Sequence, residues 1–219
     1  MLPFPPRVLA KEYLGLNPLG TIPFLIDGDT RMTESAAISH YLVARYGPTP
    51  LSVGVDEPEF GAFLNWLHFG EATLTFPQTL VFRYSQLEPE ERRNPQIVAD
   101  YSRWFFGRLR GLEAAVSRSE TVCAGRFTAA DISVGYALLL ARNIGLSSNF
   151  PPGVTAYWER LQMRAGSSPR FLPPVASFRT VSAYRTSLSA SFRSGAIRHP
   201  ANRSAPSAAA PSAEIPGSP

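Results

Sequence analysis

The 219-residue chain has a single cysteine, Cys123. No internal disulfide can form from one thiol, and no set of thiolates can hold a metal. A reducing, cytoplasmic setting is the expectation. Long apolar runs are missing too: the longest, Val134 to Ala141, has eight residues against the roughly 20 that a bilayer-spanning helix needs. The opening Met1-Leu-Pro-Phe-Pro-Pro-Arg7 has no charged segment followed by an apolar one, so no signal peptide is expected. Lysine is nearly absent, Lys11 standing alone among 21 basic residues. Such a ratio fits a GC-rich coding sequence better than any chemical demand.

Charge becomes informative only when it is divided by position. From residue 166 onward there are six arginines and one acid, Glu214, so the formal net charge of +4 leaves residues 1–165 slightly negative. A nucleic-acid footprint over the whole surface of the folded part is therefore not indicated. Serine, alanine, proline and arginine supply 36 of the 54 residues of that tail. Too little apolar surface remains there to offset the entropy of ordering it, and residues 166–219 are expected to be disordered.

What is present reads as a small α/β piece followed by helices. Lys11–Leu16 suits a short helix, stopped by Asn17-Pro-Leu-Gly20. Thr21–Ile26 is apolar and favours a strand, Asp27-Gly28-Asp29 is turn chemistry, and Thr30–Thr33 returns, which predicts a hairpin. Pro23 inside the first strand is unusual, since proline cannot donate to a ladder and belongs at an edge, a bulge or a cis bond. From Ser35 the spacing of Ile38, Tyr41, Leu42 and Arg45 is helical and ends at a Gly/Pro cluster.

Longer amphipathic helices follow. Phe60, Phe63, Leu64 and Leu67 mark one, running to about Tyr84 with a kink expected at Pro77. Ile97, Tyr101, Trp104, Phe105, Leu112 and Val116 mark another. Residues 129–143, apolar on nearly every face, predict a buried central helix, opened by a capping box at Thr128 and Asp131. Tyr157, Trp158 and Leu161 of a last helix would close the bundle. The expected division is 1–47 for the α/β piece, 48–56 for a linker, 57–165 for an all-helical domain and 166–219 for the tail.

Chemistry concentrates around the hairpin. A cis Ile22–Pro23 bond would leave the N–H and C=O of Ile22 free to pair with an extended peptide. Glu34 could accept from an ammonium group, and the Ser35 N–H and hydroxyl, at a helix start, could hold a carboxylate. Together these suit the zwitterionic end of an amino acid joined to a short peptide, the form that glutathione has. Ser35 as a plain N-cap and Pro23 as an edge residue are the structural alternatives. Cys123 reads as a small buried hydrophobe and not a nucleophile, while His40 and His68 read as structural or surface groups. No metal site, phosphate loop or Ser-His-Asp set is present in the pattern.

Asn17-Pro-Leu-Gly-Thr-Ile-Pro-Phe-Leu-Ile26, Thr33-Glu-Ser-Ala-Ala-Ile38 and Phe127-Thr-Ala-Ala-Asp-Ile132, in this order and spacing, resemble the bacterial glutathione S-transferases over about residues 1–165. The resemblance implies a truncated thioredoxin-like N-terminal domain followed by an all-helical C-terminal domain. It implies that Ile22, beside cis Pro23, pairs with the cysteinyl part of glutathione and that Glu34 and Ser35 bind its γ-glutamyl end. Lys11 lies where some members contact the glycyl carboxylate.

The implied activity is joining the glutathione thiol to a small, apolar electrophile, a detoxification reaction, by a cytoplasmic homodimer with no metal. The tyrosine, serine or cysteine that activates the thiol belongs to an opening strand-helix-strand unit that this sequence does not match, so the catalytic residue is unknown. The rate in such enzymes comes from lowering a thiol pKa of about 8.5. A non-catalytic dimerisation module and a glutathione-dependent thiol-disulfide reductase are the other expectations.

Overall fold

The computed structural model describes residues 10–164, and the expected disorder of 166–219 lies outside them. A 3-10 turn at Lys11–Gly15 leads into a two-stranded antiparallel sheet, β1 (Leu25–Asp27) and β2 (Thr30–Met32), with Leu25 opposite Met32 and Asp27 opposite Thr30. Gly28 takes φ 57° in the connecting turn, a backbone that glycine adopts without a Cβ penalty. The predicted hairpin is present but shorter. Thr21–Phe24 does not join the ladder: the Thr21 carbonyl is taken by Tyr13 and Asn17, and Pro23 has no N–H to donate.

Helix α1 (Ser35–Arg45) follows, and a continuous helical path then comprises α2 (Phe60–His68), a π-helical stretch (Phe69–Thr75) and α3 (Phe76–Phe82). The expected kink at Pro77 is corrected: Pro77 lies in the first turn of α3, where its missing N–H costs little, and the widened hydrogen bonding lies before it. Helix α4 (Pro95–Val116) starts at Asn94, whose side chain accepts from the Ile97 N–H at 3.1 Å. Helix α5 (Ala129–Asn143) and helix α6 (Pro152–Met163) complete the bundle.

One apolar cluster holds these elements together. Phe63, Leu67, Leu74, Phe105, Leu109, Leu112, Val134, Leu138 and Tyr157 are all within 2% of complete burial, and Ala36 of α1 belongs to the same cluster. Thus α1 packs onto the helical core. Side chains of this size each contribute roughly 1.5–3 kcal/mol when removed from water.

Helix α5 is central on one face only: Ala130, Val134, Ala137, Leu138 and Ala141 are buried, but Tyr136 is 56% exposed. This corrects the reading of a helix buried nearly all round. Likewise Trp104, placed on the inner stripe of α4 by spacing, is 41% exposed and lies outside the Phe105–Leu109–Leu112 seam.

The start of α5 shows why its boundary is sharp. Asp131 is fully buried, and its carboxylate accepts from the Thr128 N–H at 2.8 Å, the Val122 N–H at 3.1 Å and the Tyr157 hydroxyl at 2.8 Å. The capping box expected there is present, and it also ties α5 to α6.

Candidate functional site

The site is built on the two ends of the hairpin. Ile22 and Pro23 come just before β1, and Glu34 and Ser35 come just after β2. Because the strands pair antiparallel with Leu25 opposite Met32, both pairs of residues emerge at the same end of the ladder. The Ile22–Pro23 peptide is cis. Ile22 is 55% exposed, and its N–H and C=O make no hydrogen bond with any described residue.

At the other half, Glu34 has extended backbone geometry and occupies the N-cap position with no side-chain capping bond. Its carbonyl accepts from the Ile38 N–H at 2.8 Å, which leaves the N–H groups of Ser35, Ala36 and Ala37 ahead of the first helical bond. Ser35 is therefore the first helical residue, not the cap. Glu34 and Ser35 are both exposed, and among the described residues the Glu34 carboxylate accepts only from the neighbouring Thr33 hydroxyl, at 3.3 Å. Unpaired N–H groups and the positive end of a helix favour an anion here.

Behind the Ile22 segment lies a polar support that pattern reading missed. Asn17 is 1% exposed. Its side-chain N–H group donates to the Thr21 carbonyl at 2.9 Å and its oxygen accepts from the Leu19 N–H at 3.1 Å, while the Tyr13 hydroxyl donates to the same Thr21 carbonyl at 2.6 Å. In sequence, Asn17-Pro18 reads only as a helix breaker, and nothing local distinguishes a buried asparagine from an exposed one.

Other candidates fall away or stay peripheral. Lys11 is exposed on the 3-10 turn. Cys123 is buried, and loss of solvation pushes its thiol above the ordinary value despite the Thr128 hydroxyl 3.8 Å away. The His40 ring packs edge-on against Phe63. Arg83 pairs with Glu88 at 2.9 Å. Among the described residues no group of histidine, cysteine, aspartate and glutamate is arranged to hold a metal, and no helix is long and apolar enough to cross a membrane. A separate cavity of about 520 Å³ lies between Phe69, Thr73 and Phe76 on one side and Trp104, Arg108 and Gly111 of α4 on the other, and none of the four hairpin-end residues lines it.

Residues 2–50 match the glutathione S-transferase N-terminal domain family. The chain is 40% identical over 62 residues to glutathione S-transferase 3 of Schizosaccharomyces pombe, covering 28% of this chain and 26% of that one. It is 37% identical over 105 residues to glutathione S-transferase hmp2 of Hypomyces subiculosus, covering 44% and 50%. The chain thus spans between a quarter and a half of the length of these two relatives. A Phanerochaete chrysosporium glutathione transferase, solved in complex with oxidized glutathione, superimposes with a TM-score of 0.62 at 28% identity over 82% of this chain and 79% of that one. The chain is thus similar to glutathione S-transferases in its N-terminal segment and in its fold.

Proposed function

We propose that this chain binds glutathione at the shared end of the hairpin and serves its transfer to an electrophile. Ile22 would pair its free N–H and C=O with the cysteinyl backbone beside Pro23. The N-terminal turn of α1 would hold the γ-glutamyl carboxylate through Ser35, and Glu34 would accept from the γ-glutamyl ammonium. The observation that carries this reading is the emergence, at one end of one sheet, of an Ile22 peptide with no partner among the described residues and a helix start without a side-chain cap. A peptide with a zwitterionic end needs both.

The reaction would join the glutathione sulfur to an apolar electrophile, displacing its leaving group or adding to it, with the thiol proton lost to solvent or a base. The finer reading includes detoxification as the role, the cytoplasm as the location and a homodimer as the assembly. It also keeps the division into residues 1–47, a 48–56 linker and a 57–165 helical domain. Cys123, buried with a raised thiol, does not supply a reductase's nucleophile.

Retention of the full chain on immobilised glutathione tests the proposal. Wild type is expected to bind and to elute with free glutathione, and Ser35→Ala and Glu34→Gln to elute earlier. Wild-type flow-through without retention would contradict it.

A further inference from the structure

The Asn17 and Tyr13 side chains converge on one atom, the carbonyl oxygen of Thr21, from 2.9 Å and 2.6 Å. That oxygen and the N–H of Ile22 belong to the same peptide unit. Only the Ile22–Pro23 and Gly47–Pro48 bonds are cis among the described residues, so the Thr21–Ile22 peptide is trans. In a planar trans unit the C=O and N–H point in opposite directions. Two donors that fix the Thr21 oxygen against the protein therefore aim the Ile22 N–H the other way, and they polarise the unit so that this N–H becomes a stronger donor.

The support is itself rigid. Asn17 is buried to within 1% and Tyr13 to within 6%. Asn17 also reaches the Thr21 hydroxyl at 3.3 Å, its oxygen is held by the Leu19 N–H, and the Tyr13 ring meets Phe24 edge-on with centroids 6.3 Å apart. Burying an asparagine is favourable only when its bonds are made, and here both ends of the amide are engaged. The hydrogen bonds to Thr21 and the ring contact with Phe24 fall on the two sides of Ile22-Pro23. The neighbouring Leu19 and Ile22 side chains stay exposed, at 64% and 55%.

We propose that Asn17 and Tyr13 are positioning residues for ligand binding: they act through the Thr21 carbonyl to present the Ile22 N–H to the cysteinyl carbonyl of glutathione. This rests on the site reading above and goes beyond it by assigning the two buried groups that aim its backbone donor. Neither side chain touches the ligand.

The test compares two probes on the full-length chain by NMR titration. Reduced glutathione carries both the γ-glutamyl end and the cysteinyl carbonyl. γ-Glutamylethylamide carries the γ-glutamyl end and no cysteinyl carbonyl. In Tyr13→Phe, which keeps the ring against Phe24, and in Asn17→Asp, which keeps the acceptor for Leu19, affinity for glutathione is expected to fall about threefold to tenfold. Affinity for γ-glutamylethylamide is expected to stay at the wild-type value. Equal losses for both probes would show general loosening and overturn the proposal, as would no loss for either. Wild type that binds neither probe would overturn the site reading itself, a distinct outcome.

Discussion

The Tyr46 hydroxyl donates to the Asp27 carboxylate at 2.6 Å, so the residue that closes α1 is tied to the residue that opens the hairpin turn. Tyr41 donates to the same oxygen at 2.8 Å. The two bonds hold the turn end of the hairpin to the C-terminal half of α1.

The pair also has a pH signature. The Tyr46 and Tyr41 hydrogen bonds hold the Asp27 carboxyl below its ordinary value, and the Asp27 carboxylate holds the Tyr46 phenol above its own. A lowered carboxyl pKa stabilises the fold above the unfolded value, about 3.9, and that contribution disappears as pH falls through the folded value. A raised phenol pKa stabilises below about 10 and is lost as pH rises through the folded value. The stability difference between wild type and Tyr46→Phe is therefore expected to be flat from about pH 5 to 9 and to shrink at both extremes. Urea unfolding across pH measures it, and a difference that grows toward acid would be inconsistent.

Asp131→Ala should unfold the protein far more readily. Its removal strands the buried N–H groups of Thr128 and Val122 and the Tyr157 hydroxyl, each at a cost of about 1–3 kcal/mol. A loss of at least about 3 kcal/mol in chemical denaturation is expected. A loss under about 1 kcal/mol would show that the network is replaceable.

Gly70 lies in the π-helical stretch, where an added Cβ would stand 2.5 Å from the Ser133 hydroxyl oxygen and 2.6 Å from the Ser133 backbone. The Ser133 hydroxyl meanwhile donates to the Leu67 carbonyl at 2.7 Å. Gly70→Ala must push α5 away and is expected to cost about 1–3 kcal/mol or more, with a lowered melting temperature. Gly61→Ala, where a Cβ meets nothing within 4 Å, is the control and should be nearly silent.

Cys123 should behave as a structural thiol. Buried and with its thiolate disfavoured, it is expected to react with iodoacetamide only in denaturant, and Cys123→Ala should bind glutathione as wild type does. Mass spectrometry of alkylated native protein checks the first point. Rapid native labelling would contradict it.

The features that could be read from sequence were those decided by a few adjacent residues. Asp27-Gly28-Asp29 specifies its turn, and Thr128 with Asp131 specifies the start of α5, because the bonds concerned are local. Features set by partners distant in sequence were not legible. Thr21–Phe24 has strand composition, yet Tyr13 and Asn17 take the Thr21 carbonyl before any ladder can. Within the π-helical stretch Gly70 lies against Ser133, a contact 63 positions apart that no helical periodicity encodes. Trp104 fits an apolar spacing but turns outward, since spacing alone does not say which side of α4 meets the core. At the site, the residue types at Ile22, Pro23, Glu34 and Ser35 were visible in sequence. The buried Asn17 amide on the Thr21 carbonyl was not.

The most direct measurement is a glutathione titration of the full-length, 15N-labelled chain that follows individual backbone amides. Saturable shifts are expected at the N–H groups of Ile22 and Ser35 with one common dissociation constant, and little change at residues lining the Phe76–Trp104 cavity. Shifts confined to that cavity, or an Ile22 amide that does not move at saturation, would contradict the account.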